Sequence, residues 1–250
     1  MKTVSTLLVA LAWLCSLATA QTTPAKPSQP TARTEVYHVH VAKAALGKAA
    51  QLGDFLKTPD PHAPMPGHFL VLRHQQGDEW DYVVIEHLGP KATIDAAAPA
   101  MTPAIRDLYA WHGDTFVTGP SWAEFSRAMG ITPDALGKTA GSVYAVSVYR
   151  AAPGLRDQLE KMISTPAAAN GPAPPESVLL QHLEGAPWQY FGIARYNSWQ
   201  DFAADQANSE AQMTKTPGQG GWYQLRDYSD FHRDTLTDRI APATATPATK

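Results

Sequence analysis

Cysteine occurs once in these 250 residues, as Cys15, so no disulfide can form within the chain. Stability must come from a packed core or from bound ligands, and the length is ample for a large core. Charge is also sparse, at 17% of residues. No Lys/Arg run is long enough to track a nucleic-acid backbone, which excludes nucleic acid as an expected partner. A G-x-S-x-G elbow, a phosphate loop, a dinucleotide fingerprint and an H-E-x-x-H pair are all missing. Hydrolytic and nucleotide-dependent chemistry therefore have no support.

Long apolar runs are likewise missing, apart from Leu7 to Leu17, which falls short of the roughly 20 residues a membrane span needs. Lys2 precedes that run, and Ala18 and Ala20 follow it ahead of Gln21. This is the pattern of a secretory signal peptide over residues 1–20. Leu14 is too bulky to precede a lipidated Cys15. The expectation is an exported protein, periplasmic or extracellular, with no stable membrane insertion after cleavage. Residues 21–34 and 241–250 are Pro, Thr and Ala tracts without apolar periodicity and read as a flexible linker and a flexible tail.

What the chain does have is an internal repeat. "HQQGDEWDYVVI" (His74 to Ile85) and "HLEGAPWQYFGI" (His182 to Ile193) share His, Gly, Trp, Tyr and Ile at an offset of 108. "VYHVHVAKAALGKAAQL" from Val36 sets against "VYAVSVYRAAPGLRDQL" from Val143 at an offset of 107. "IRDLYAWHGDTF" from Ile105 sets against "LRDYSDFHRDTL" from Leu225 at 120, so the second copy has gained about twelve residues around "SEAQMTKTPGQGG". The repeats span 35–118 and 142–240, joined by a helical connector over 119–141.

Each copy reads as a strand, a helix, a glycine-turned hairpin and further helices, with Ser198 as an N-cap in the second. In the Arg-Asp block, Leu225, Tyr228, His232, Leu236 and Ile240 fall at steps of three or four, which predicts a helix. The fold class expected is α+β: two tandem ferredoxin-like βαββα repeats whose antiparallel sheets cover each other. "VYRAAPGLRDQLEKM", a hairpin and "NSWQDF" resemble the dimeric α/β-barrel superfamily, which includes antibiotic-biosynthesis-type monooxygenases and haem-handling proteins. Two copies in one chain imply an intramolecular pseudo-dimer barrel. The resemblance also implies a cofactor-independent oxygenase acting on a hydrophobic or aromatic molecule.

The candidate catalytic residues are His112 and His232, since histidine alone titrates unperturbed near neutral pH. On a helix, Asp234 would lie about 200° around from the face of His232, so the two would not pair. Ligand-lining candidates are His74, Trp80, Tyr82 and Arg106 in the first copy, and His182, Trp188, Tyr190 and Arg226 in the second, expected in pockets between sheet and helices. The parity of Val39 and Val41 is expected to meet the helices, leaving His38 and His40 in the space between the sheets with Glu86 as a third metal ligand. No cofactor is required by the oxygenase reading; haem on His74 or His182, or a divalent metal on His38, His40 and Glu86, are the cofactor readings left open. A non-enzymatic binding module is the remaining alternative, with the twelve added residues as a lid or partner surface.

Overall fold

The computed structural model describes residues 32–90, 102–165 and 174–243. The expected signal peptide, most of the linker, the Ala-rich segment 92–101 and the tail from 244 lie outside them. The first half runs β1 (Glu35–Ala44), α1 (Ala49–Leu56), β2 (Phe69–Gln76), β3 (Tyr82–Pro90), α2 (Pro103–Arg106) and β4 (Tyr109–Gly119). α3 (Trp122–Ala128) connects it to β5 (Val143–Ala151), α4 (Arg156–Ser164), β6 (Glu176–Glu184), β7 (Tyr190–Tyr196), α5 (Trp199–Lys215), α6 (Gly221–Tyr228) and β8 (Ser229–Ala241). The eight strands close into one antiparallel barrel in the order β1-β3-β2-β8-β5-β7-β6-β4. Within each half the first strand lies between the last strand and the third, and the halves are sewn together by β2 on β8 and by β4 on β6. Closure leaves no sheet edge exposed.

Two sequence expectations are corrected here. The segments holding His112 and His232 are strands, not helices: α6 stops at Tyr228, and β8 pairs with β5 on one side and β2 on the other. The three-to-four spacing from Leu225 to Ile240 straddles that boundary, while Phe231, Thr235 and Thr237 carry strand alternation beyond it. Two ladders of backbone hydrogen bonds outweigh a helical preference that needed tertiary packing in any case. Each unit therefore ends on a strand, β-α-β-β-α-β.

The second correction concerns the parity of β1. Tyr37 and Val39 belong to the barrel interior, packed with Leu70, Leu72, Val83 and Ile85 from their own half and Tyr144, Val146, Leu180, Phe191 and Ile193 from the other. His38 and His40 point outward. A closed barrel interior admits little water, so it takes the apolar parity, each large side chain contributing roughly 1.5–3 kcal/mol. The outer face of the first sheet is covered by Leu52 and Leu56 of α1 against Phe69, Val71, Tyr82 and Val84. That of the second is covered by Leu159 of α4 and Leu225 of α6 against Tyr190 and Ala151.

α3 and the residues after it plug one end of the barrel with Phe125, Met129 and Ile131. Ser121 and Glu124 form a capping box at its start. The repeat-related Tyr37 and Tyr144 donate their hydroxyls to Pro120 O (2.8 Å) and Met129 O (2.9 Å), so the plug satisfies both buried phenols. Arg195 Nε donates to Ala128 O (2.8 Å) and Arg239 Nη1 to Gly130 O (3.0 Å) from the second half. The linker end is also pinned: Arg33 Nη1 donates to Glu160 Oε1 (2.6 Å) and Gln181 Oε1 (2.9 Å).

Candidate functional site

The barrel end opposite α3 is roofed by the two hairpin turns, and each crosses to the other half. Gly77 (φ +128°) and Gly185 (φ +113°) have conformations that L side chains rarely adopt, and a Cβ would collide with Asp234 O at the first and Asp114 O at the second. This close crossing explains why glycine recurs in the two hairpin blocks. Asp78 N donates to Thr235 Oγ1 (3.3 Å) and Arg233 Nη1 donates to Asp78 Oδ1 (2.8 Å).

Beneath the turns lies a cavity of about 430 Å³, floored by Val39, Val41, Val146 and Val148 and walled by Trp80, Trp111, Trp188 and Phe231. The walls are pseudo-symmetric, Trp80 answering Trp188 and Trp111 answering Phe231. Symmetry fails at the rim, where Asp78 and Arg233 stand opposite Ala186 and Gly113. His74 and His182 meet the tryptophans edge-on, with centroids 5.9 Å from Trp80 and 5.7 Å from Trp188. The Nε2 of each is buried with no hydrogen-bond partner. Burial pushes the His182 pKa down, keeping that ring neutral.

Of the predicted ligand-lining residues, then, His74, Trp80, His182 and Trp188 gather at this end, inside the barrel and not between sheet and helices. Tyr82 and Tyr190 face the outer helices, their hydroxyls donating to Ala49 O (2.8 Å) and Glu160 Oε2 (2.7 Å). Arg106 and Arg226 are exposed and join neither wall. Trp111, Phe231 and Arg233 were missed. The signal that could have found them is the shared offset of 120 between Trp111 and Phe231 inside a block read as helix, where strand parity would have turned them away from His112 and His232.

His112 and His232 stand on the other face of the wall. β1 pairs His40 with Asp114 and Ala42 with His112, and β5 pairs Ser147 with Asp234 and Tyr149 with His232. In the first half Asp114 collects three imidazoles: Oδ1 meets His38 Nε2 and His40 Nδ1, each at 2.8 Å, and Oδ2 meets His112 Nδ1 at 2.9 Å. His38 Nδ1 meets Glu86 Oε2 at 3.0 Å. The predicted trio of His38, His40 and Glu86 is thus partly assembled, but the carboxylate held by both histidines is Asp114. His40 is only 7% exposed and its Nε2 has no partner.

Burial would lower the His38 pKa, but hydrogen bonds to Asp114 and Glu86 and their charges prevail and raise it to about 9. The same histidine contacts hold the Asp114 carboxyl far below the usual carboxylate range. Tyr109, edge-on to His40 and His112, is pushed up to about 12 by burial and then by Asp114 and Glu86. The second half has a thinner version: Asp234 accepts from Ser147 Oγ (2.5 Å) and meets His232 Nε2 at 2.8 Å, while Tyr149 stacks on His232 at 5.3 Å. His232 and Asp234 therefore do pair, because i and i+2 share a strand face.

No protein-family model and no curated protein sequence matches the chain. Among solved structures, a protein from Lactobacillus acidophilus NCFM assigned as a monooxygenase is similar in fold, with a TM-score of 0.50 and 12% identity over 84% of this chain and 96% of that one. An anthrone oxidase-like protein has a TM-score of 0.49 and 10% identity over 87% and 98%. The first likeness places this eight-stranded antiparallel α+β architecture beside a monooxygenase-like fold.

Proposed function

We propose that this chain is an exported, duplicated member of the dimeric α/β-barrel type that binds one small, flat, largely apolar molecule in the mouth of its barrel. The observation that carries this reading is the cavity itself: about 430 Å³ walled by three tryptophans and a phenylalanine over a valine floor, with Asp78, Glu79, Asp114 and Arg233 among its few polar groups. That size sits within the roughly 300–1,000 Å³ of small-molecule sites, and aromatic walls with a few polar groups are their usual lining. His74 and His182 meet Trp80 and Trp188 edge-on with their Nε2 atoms buried, and neither belongs to the cavity lining itself. Oxygen-dependent oxidation of the bound molecule follows the fold-level likeness, and His112 and His232, on the other face of the wall, take no part in it.

The test is binding of a panel of one- to three-ring aromatic compounds, read by tryptophan quenching and by native mass spectrometry. We expect saturable one-to-one binding that weakens at least tenfold in Trp188→Ala and in Trp111→Ala, with His232→Ala unchanged. Binding that survives both tryptophan variants, or a panel with no binder, overturns the reading. Oxygen uptake matched to ligand consumption would mark an oxygenase, and binding without uptake a carrier.

A further inference from the structure

The histidines clustered on the outer face of β1 and β4 do not line the cavity, which lies on the opposite side of the same strands; Asp114 alone belongs to both. Its donors are arranged in two tiers. Innermost are His38, His40 and Asp114, one donor atom of each lying within 4.8 Å of the others, with His38 Nε2 and His40 Nδ1 each 2.8 Å from Asp114 Oδ1. Outside them, Glu86 accepts at His38 Nδ1 (3.0 Å), and His112 bonds the second oxygen of Asp114 (2.9 Å). Outer partners of this kind fix ring orientation and tautomer at metal centres.

His40 is fixed for this geometry: its ring is nine-tenths buried and its Nδ1 is aimed at Asp114 Oδ1 at 2.8 Å. The strand geometry supplies the rest. His38 and His40 share a face at i and i+2, and the β1–β4 register sets Asp114 directly opposite His40.

We propose that His38, His40 and Asp114 form a binding site for one divalent transition-metal cation, of which Zn²⁺ is the type. Two imidazole nitrogens and one carboxylate oxygen suit zinc and its borderline neighbours, and leave coordination positions for water or an anionic ligand. The carboxylates of Asp114 and Glu86 supply two negative charges against the two of the ion. Binding displaces the proton shared between His38 Nε2 and Asp114, so metal uptake releases protons. The second half contains the control. Ala145 and Ser147 occupy the positions of His38 and His40, and among the described residues Asp234 is bonded by His232 and Ser147.

The experiment uses EDTA-stripped protein without a polyhistidine tag, titrated with Zn²⁺ by calorimetry and with Co²⁺ by visible absorbance. One ion per chain is expected, with a Kd of about 1 µM or tighter. His38→Gln, His40→Ala and Asp114→Asn should each weaken it at least tenfold, and His232→Ala should leave it unchanged. The isosteric Asp114→Asn, checked by circular dichroism, guards against loss through unfolding. Zn²⁺ should also raise the wild-type melting temperature, reversibly with EDTA. No binding below about 100 µM Zn²⁺, undiminished binding in His40→Ala and Asp114→Asn, or equal loss in His232→Ala would each overturn the site.

Discussion

Asp114 and Asp234 occupy matching positions in the two halves of one barrel, each two residues after a histidine and directly across from the middle of its half's first strand. Around Asp114 there are three imidazoles and, one step out, a second carboxylate; around Asp234 there are one imidazole and one hydroxyl. The backbone frame is common to both, so the difference lies in the few side chains the first strand presents. The barrel mouth teaches the complementary lesson. There the matching pairs His74/His182, Trp80/Trp188 and Thr115/Thr235 are kept, Trp111 is answered by another aromatic ring, Phe231, and the change in charge is confined to the rim. The interior is shared between halves and must pack as one body, whereas each outer face answers only to its own helices and can specialise.

The largest effect should come from the feature the halves share most closely. Gly77→Ala and Gly185→Ala each force a Cβ into a carbonyl of the opposite half at a strained φ. Each should cost at least about 2 kcal/mol in a urea melt, with little difference between them. A cost at one site and none at the other would break the equivalence of the hairpins. Next come the two aspartates. Asp114→Asn should destabilise the metal-free protein by roughly 1–2 kcal/mol, and Asp234→Asn by about half as much, both discounted for partial exposure. Equal losses would mean the additional histidines are energetically idle.

How far this was legible from sequence depends on how local each signal is. The hairpin blocks were legible, because the turn glycine, the tryptophan and the histidine before it all follow from one crossing of the chain. Trp111 and Phe231 were not, because β4 and β8 owe their existence to pairing with strands about 70 to 90 residues away, and the spacing from Leu225 to Ile240 imitates a helix. The H-x-H on β1 was visible as a same-face pair, but its direction was inverted, since a closed interior is drier than a face under short helices. Asp114 stood out as part of the repeated Arg-Asp block, but its partners His38 and His40 become known only with the β1–β4 register.

A pH titration sharpens the aspartate comparison. His38 has a folded pKa raised to about 9 from its ordinary value of 6.5, whereas its counterpart Ala145 cannot titrate. A raised histidine pKa adds stability that is fully present below about pH 6.5 and lost as pH rises through about 9. In metal-free protein we expect a loss of roughly 2 kcal/mol between pH 6.5 and 9.5, read from urea midpoints. His38→Gln should flatten that slope. A slope unchanged in His38→Gln would move its origin to another group.

The smallest effect lies at the rim, where the halves differ inside the cavity. Arg233 Nη1 donates to Asp78 Oδ1 at 2.8 Å, with the arginine side chain 53% exposed and the aspartate 15%. The guanidinium also lies 5.4 Å over the Phe231 ring. An ion pair so open to water contributes about 0.5 kcal/mol, so Arg233→Ala should hardly move a urea midpoint. Its effect belongs to ligand choice: Arg233 is the cationic group on a rim that also carries Asp78 and Glu79, opposite Gly113. Removing it should weaken aromatic acids three- to tenfold against their neutral analogues, about 0.6 to 1.4 kcal/mol at a half-exposed charge. Equal affinities for acid and neutral analogue in the wild type would show that the ligand does not reach this side, and would place it against the Ala186 wall instead.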